Sequence, residues 1–272
     1  MSCYAECMMF EYEFMMNAFV ASGIAAIVSG VVGFFLVLRQ QVFAGHALAH
    51  LGFTGATGAA LLGISPLWGM IAFTVVAGLA MGALGGRLSG YDIAISITLS
   101  LSLGSGLLFL HFFTAYATQV TVLLFGSILG VNTSMLISLA WLALLVFTAL
   151  TVIARPLIFS SLQPELAEAK GVSLRSISML FLAIVAIAVA QCTQIVGMLL
   201  VFTLMVGPAA AAQNLTNRIS SGIVCAALFS LMQAWIGITL AFYTDWPTSF
   251  WISTLSTIVY GVSVLIKWWR RT

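Results

Sequence analysis

SMLISLAWLALLVFTALTVIA, residues 134–154, runs from end to end without a charged residue. About 20 such residues in a helix cross a hydrocarbon core of about 30 Å. Within that core only helices and closed barrels satisfy every backbone N–H and C=O. The run therefore reads as a membrane-spanning helix, and it has company. Apolar runs near 14–38, 46–63, 67–86, 91–112, 175–191, 195–212, 219–243 and 248–268 bring the expected number of spans to about nine. A segment around Gln119 to Val131 reads as a further short helix or a re-entrant turn.

Composition points the same way. Of the 272 residues, 62% are hydrophobic and only 6% are charged, whereas an average soluble domain carries about 25% charged residues. So little charge cannot clothe a water-soluble surface. The fold class is all-α, a polytopic helical membrane protein, with one transmembrane domain over 1–272 and no linker, low-complexity stretch or internal repeat. The net charge of +2 is no sign of nucleic acid, because the cations sit at the ends of apolar runs and form no stripe. Cys3, Cys7, Cys192 and Cys225 have neither CxxC spacing nor the density of a disulfide scaffold. The first fourteen residues hold Glu6, Glu11 and Glu13 but no Lys or Arg, the opposite of a secretory n-region. The first apolar run is therefore read as a retained span.

Loop lysines and arginines bias toward the cytoplasm. With the C-terminal KWWRRT inside, Arg39, Arg87, Arg155, Lys170, Arg175 and Arg218 fall at cytoplasmic ends together with Lys267, Arg270 and Arg271. The expected orientation is thus an external N-terminus and a cytoplasmic C-terminus. Asp245 and the N-terminal glutamates fall outside.

Directly after the opening run comes RPLIFSSLQPELAEAKGVSLRS, residues 155–176, the longest polar stretch. Pro164 suits a first helical turn, Glu165 and Glu168 favour the N-terminal half, Lys170 the C-terminal end, and Gly171 a stop. These residues predict a short cytoplasmic helix over about 163–171. A solvated connector needs no such helix, which raises the question of a docking partner.

Here the sequence resembles a known family. LQPELAEAKGVSLR (162–175) is similar to the Asp-Pro-Glu-hydrophobic-Ala…Gly-Val pattern of permease subunits of the ABC importers for zinc and manganese, where it forms the helix that meets the ATPase. LVLRQQVFAGHALAHLGFTGATGAALLG (36–63) resembles the family's Leu-Arg-Arg…Gly-Asp-Ala-x-Ser-His segment. GMLLVFTLMVGPAAAAQNL (197–215) resembles its Gly-x-Leu-Leu-Val…Pro-Ala-Ala-x-Ala helix, and YTDWPTSFWI (243–252) its Asp-x-Pro-x-Gly turn. The four matches run in the family's order. Gln163 stands where the family has Asp, His46 where it has Asp, Ala49 where it has Ser, and Ser249 where Gly is common. The resemblance implies a type II ABC importer permease working as a homodimer in a bacterial plasma membrane. It also implies two copies of a separate ATPase subunit, an extracytoplasmic metal-binding protein, and no permanently bound cofactor. Gln163, Pro164, Glu165, Ala167 and Gly171 carry the expected ATPase contact.

His46 and His50 lie four residues apart, which on a helix puts both on one face. Either they line an ion path or they hydrogen-bond backbone carbonyls across a helix interface. Polar side chains inside a bundle usually face a cavity. Imidazole suits zinc, and a His in place of the family's Asp moves the site away from the oxygen donors that manganese tolerates. Asp245, in the turn that the resemblance puts at the outer mouth, is a candidate contact for an arriving cation and equally an ordinary turn residue.

The chain has no GxxxxGK[ST] loop, so ATP must be hydrolysed elsewhere, and HALAH lacks the glutamate of a zinc-protease HExxH. The expectation is a non-enzymatic permease moving a divalent metal, zinc first, with manganese or iron as other cargoes. An ion-coupled secondary transporter acting without an ATPase is the alternative.

Overall fold

The computed structural model describes residues 13–84, 91–112, 126 and 130–270. These residues hold ten α-helices and no strand. They are α1 (Glu13–Leu38), α2 (Val42–Leu61), α3 (Pro66–Leu84), α4 (Tyr91–His111), α5 (Thr133–Leu162), α6 (Pro164–Ala169), α7 (Leu174–Val196), α8 (Met198–Leu215), α9 (Ile219–Thr244) and α10 (Thr248–Trp269).

Local chemistry sets several of the ends. Asn132 caps α5 by accepting from the Met135 N–H at 2.9 Å, and Ser173 caps α7 by accepting from the Ser176 N–H at 3.3 Å. Gly197 ends α7 and begins α8 with φ 85° and ψ 155°, backbone that glycine alone adopts without strain. The two helices thus share a one-residue elbow. α5 passes through Pro156 and continues to Leu162, beyond the expected end at 154. The ring removes one backbone hydrogen bond, but Leu157 and Ser160 are buried and hold the last two turns on the bundle.

Six helices are long and apolar enough to cross a membrane, namely α1, α3, α5, α7, α9 and α10. The sequence reading expected about nine spans. α4 and α8 carry shorter apolar segments, Ile95–His111 and Leu200–Leu215. α2 spends its length on four glycines, two threonines and two histidines. Those residues face protein, so hydropathy was never their constraint. Most of the expected re-entrant segment lies outside the described residues. Within it, Gly126 sits against the peptides that join α7 to α8.

α1 runs through the middle, packed on α5, α7, α8 and α9, while α3 pairs with α2 and α7. Water-free helices gain nothing from leaving lipid, so they associate through close packing at small residues. Gly33 of α1 rests on the Met205 backbone of α8, Gly30 on Ala226 and Ala227 of α9, and Gly55 of α2 on Gly69 of α3.

The contacts also sort the helix ends. Arg39 at the end of α1 donates to Ser160 and Ser161 at the end of α5 and to Ser178 near the start of α7. The Gln213 amide of α8 donates to the Phe34 carbonyl at 3.0 Å, and Gly222 of α9 packs on the Phe34 ring. Lys267 of α10 donates to Asn214 at 2.7 Å. Arg39, Lys170, Arg175, Arg218, Lys267 and Arg270 therefore gather at one end of the bundle, where α6 also lies.

Replacing Gly33 by Ala drives a methyl into the Met205 carbonyl and is expected to cost about 1–3 kcal/mol, read as a lower melting temperature in detergent. Gly104→Ala, where an added Cβ meets nothing within 4 Å, does not lower it. Equal behaviour of the two variants would count against backbone contact as the source of cohesion.

Candidate functional site

α2 buries Ala44, Gly45, Ala47, Leu48, Ala49 and Leu51 and leaves His46 and His50 half-buried between them. The i, i+4 spacing places the two imidazoles on one face, with ring centroids 4.7 Å apart and planes at 77°. Phe202 of α8 comes edge-on to His46, also at 4.7 Å. It is a wall of the site that no motif pointed to, because only the elbow at Gly197 turns α8 back beside α2.

The Nδ1 atoms of both rings are buried and have no hydrogen-bond partner. The alternative that these histidines bond backbone carbonyls through Nδ1 finds no support in that geometry. A histidine that holds a resident metal normally donates its second ring N–H to a carboxylate or carbonyl, which fixes the ring. Neither ring is anchored through Nδ1. Among the described residues no group of three or more His, Cys, Asp or Glu is assembled. An ion held by both imidazoles would complete its shell with water or backbone, an arrangement that favours release over storage.

Asp245 is not part of this constellation. It follows α9 as an exposed residue with φ 55°, a left-handed stop that Asp tolerates better than most residues. α9 runs antiparallel to α1, with Gly222 beside Phe34 and the Trp235 indole donating to the Phe19 carbonyl. Asp245 accordingly lies at the end of the bundle away from Arg39, while His46 lies about one turn into α2 from the Arg39 end.

The second candidate surface is α6. Pro164 occupies its first position, Glu165 lies in its first turn, and Gln163 precedes it without a side-chain cap bond. Its far end closes as a Schellman motif. The Val172 N–H donates to the Ala167 carbonyl and the Gly171 N–H to the Glu168 carbonyl, both at 2.9 Å, with Gly171 at φ 82°. Ala167 is fully buried, whereas Glu165, Leu166, Glu168 and Ala169 are exposed. Lys170 places its ammonium 5.6 Å from the centre of the Phe159 ring and ties the helix back to α5. This six-residue helix has almost no interior of its own, is held at both ends and presents an exposed leucine among carboxylates.

Residues 11–267 match the family described as ABC 3 transport family. The chain belongs to the ABC 3 transport family. Within it, the chain is 33% identical over 256 residues to a Treponema pallidum protein described as "Probable metal transport system membrane protein", covering 92% of this chain and 94% of that one. It is 28% identical over 257 residues to the "Manganese transport system membrane protein MntC" of Listeria innocua, covering 94% and 91%. A solved structure described as "PsaBC from Streptococcus pneumoniae in complex with Fab" superposes with a TM-score of 0.87, at 23% identity, over 97% of this chain and 95% of its counterpart. At that identity the likeness is one of fold. This ABC 3 chain is a membrane transport subunit and not an enzyme, with ATP hydrolysis on a separate subunit.

If the imidazoles bind an ion, His50→Ala weakens zinc binding by the purified chain at least about tenfold, the effect of one contact worth 1.4 kcal/mol. Titration calorimetry on folded protein measures it. Unchanged affinity would assign His50 to packing.

Proposed function

We propose that this chain is the permease of an ATP-driven importer of divalent transition-metal ions, and that His46 and His50 line the ion's path. The observation that carries the reading is the pair of half-buried imidazoles facing each other with free Nδ1 atoms on a helix one turn from the cation-rich end. The relatives described as metal and manganese transport proteins support the substrate class. Between the metals, two neutral imidazoles favour zinc, because affinity for nitrogen donors rises from manganese toward the end of the first row. The Listeria relative's name favours manganese as the second reading.

The rest of the assembly follows from the same frame. Residues 1–272 form one type II permease domain of about nine spans, paired as a homodimer in a bacterial plasma membrane. The gathered cations and the C-terminus face the cytoplasm, in keeping with the positive-inside bias. Two ATPase subunits grip α6 through Gln163, Pro164, Glu165 and Gly171, while Ala167, expected among the contacts, is buried and seats the helix on the bundle. An extracytoplasmic metal-binding protein delivers the ion on the far side, where Asp245 waits as a first contact. No cofactor is held permanently. The ion moves by alternating access, a shift between two bundle arrangements that the ATPase biases.

In vesicles holding the permease, its ATPase and its binding protein, uptake is expected to require ATP, with zinc outcompeting manganese. Uptake by the lone chain would instead establish the ion-coupled secondary transporter, and preferential manganese uptake would establish the second reading of the cargo. Replacing residues 164–169 with a glycine-serine linker abolishes ATPase co-purification while leaving membrane insertion intact. Undiminished co-purification would remove α6 from the docking role.

A further inference from the structure

Arg39 closes α1, and its planar guanidinium is shared between two other helices, α5 and α7, and the turn that leads into α2. Nε donates to the Gln41 side-chain oxygen at 3.2 Å, Nη1 to Ser160 at 3.0 Å and Ser161 at 3.3 Å, and Nη2 to Ser178 at 2.7 Å. The same group lies 5.6 Å from the ring centre of Phe181, which is fully buried on α7. Ser160 and Ser161 are the two residues before Leu162, which ends α5 and leads through Gln163 into α6, and Ser178 lies in the second turn of α7, just beyond it. One side chain thus holds both roots of α6.

The other end of this connection is the turn into α2. The Gln41 N–H donates to the Leu36 carbonyl at 3.0 Å and the Gln40 N–H to the Val37 carbonyl at 3.1 Å, with Gln40 at φ 56°. This is a Schellman closure with glutamine, not glycine, at the left-handed position. The Gly45 N–H then donates to the Gln41 carbonyl at 3.2 Å, so the turn is hydrogen-bonded on both sides and passes directly into the helix that carries His46. Among the described residues, a displacement of the α5 and α7 roots therefore has a stiff route to α2, made of a forked cation at one end and a locked turn at the other.

We propose that Arg39 is the strut that transmits movement of α6 to the His46 and His50 helix. It is a positioning residue that touches no ion, and the inference rests on the reading of α6 as the ATPase contact. Arginine suits the task because its fork holds several acceptors in fixed directions, which a lysine cannot do. Three of the acceptors are hydroxyls, and the guanidinium can exchange its bonds among Ser160, Ser161 and Ser178 as the helices slide.

The experiment measures ions carried per ATP hydrolysed by the complete transporter in vesicles, with zinc and manganese as probes. Two variants attack the strut from opposite sides. Arg39→Lys keeps the charge but loses the fork, and the triple variant Ser160→Ala/Ser161→Ala/Ser178→Ala keeps the fork but loses its three hydroxyl acceptors on α5 and α7. Both are expected to bind ATPase and zinc like the parent, and to continue hydrolysing ATP, while ions per ATP fall about tenfold, the scale of a typical coupling free energy. Ser178→Thr, which retains the hydroxyl, keeps the parental ratio. If uptake and hydrolysis decline together with the ratio unchanged, or if neither declines, Arg39 only holds the bundle and the strut is refuted. Uptake by the parent without ATPase would overturn the α6 reading as well, so the two failures are distinguishable.

Discussion

Lipid offers helices no solvent to escape from, and this bundle answers by bringing backbones into contact. Gly30 and Gly33 make α1 a surface on which α8 and α9 rest directly, and Gly78 and Gly82 do the same for α3 against the Leu182 and Met179 backbone of α7. Everything functional hangs from those contacts. With α1 fixed between α8 and α9, Arg39 is delivered to the ends of α5 and α7. With α8 fixed against α1, Phe202 arrives beside His46. Larger side chains at these glycines would open gaps that no apolar filler could close with the same registry.

The elbow at Gly197 turns the chain back on itself after α7, so that α8 descends along α1 and α2 and does not pair only with its predecessor. Three elements that carry recognisable sequence, α2, α6 and α8, then share one region of the molecule. α2 brings the imidazoles, α8 brings their aromatic wall, and α6 lies at the end from which α2 begins. Asp245 is excluded from that region by geometry, since it closes the far end of α9.

Much of this was legible in the residues. Uninterrupted apolar runs located the long helices, and Pro164, Glu165 and Gly171 marked α6 to within two residues at either end. The four-residue spacing of His46 and His50 gave their shared face, because helical geometry alone decides it. What remained hidden was whatever depends on distant partners. Among the described residues six helices are long and apolar enough to span, against about nine expected, because α2 mixes glycine, threonine and histidine and the apolar segments of α4 and α8 are short. The Arg39 fork joins side chains 121 and 139 residues away along the chain, beyond any local pattern, and a serine gives no hint of which arginine it will meet. The turn at Gln40 was hidden too, because its left-handed residue is not the glycine that usually announces one.

Ala167 is the sole side chain that α6 gives to the interior, while the helix itself is shaped by Pro164 at its first position and Gly171 after it. Its form and its outward chemistry are therefore set by different residues. The outward positions can be rewritten by mutation with little penalty to folding, so the face that α6 presents can diverge while the bundle behind it stays the same.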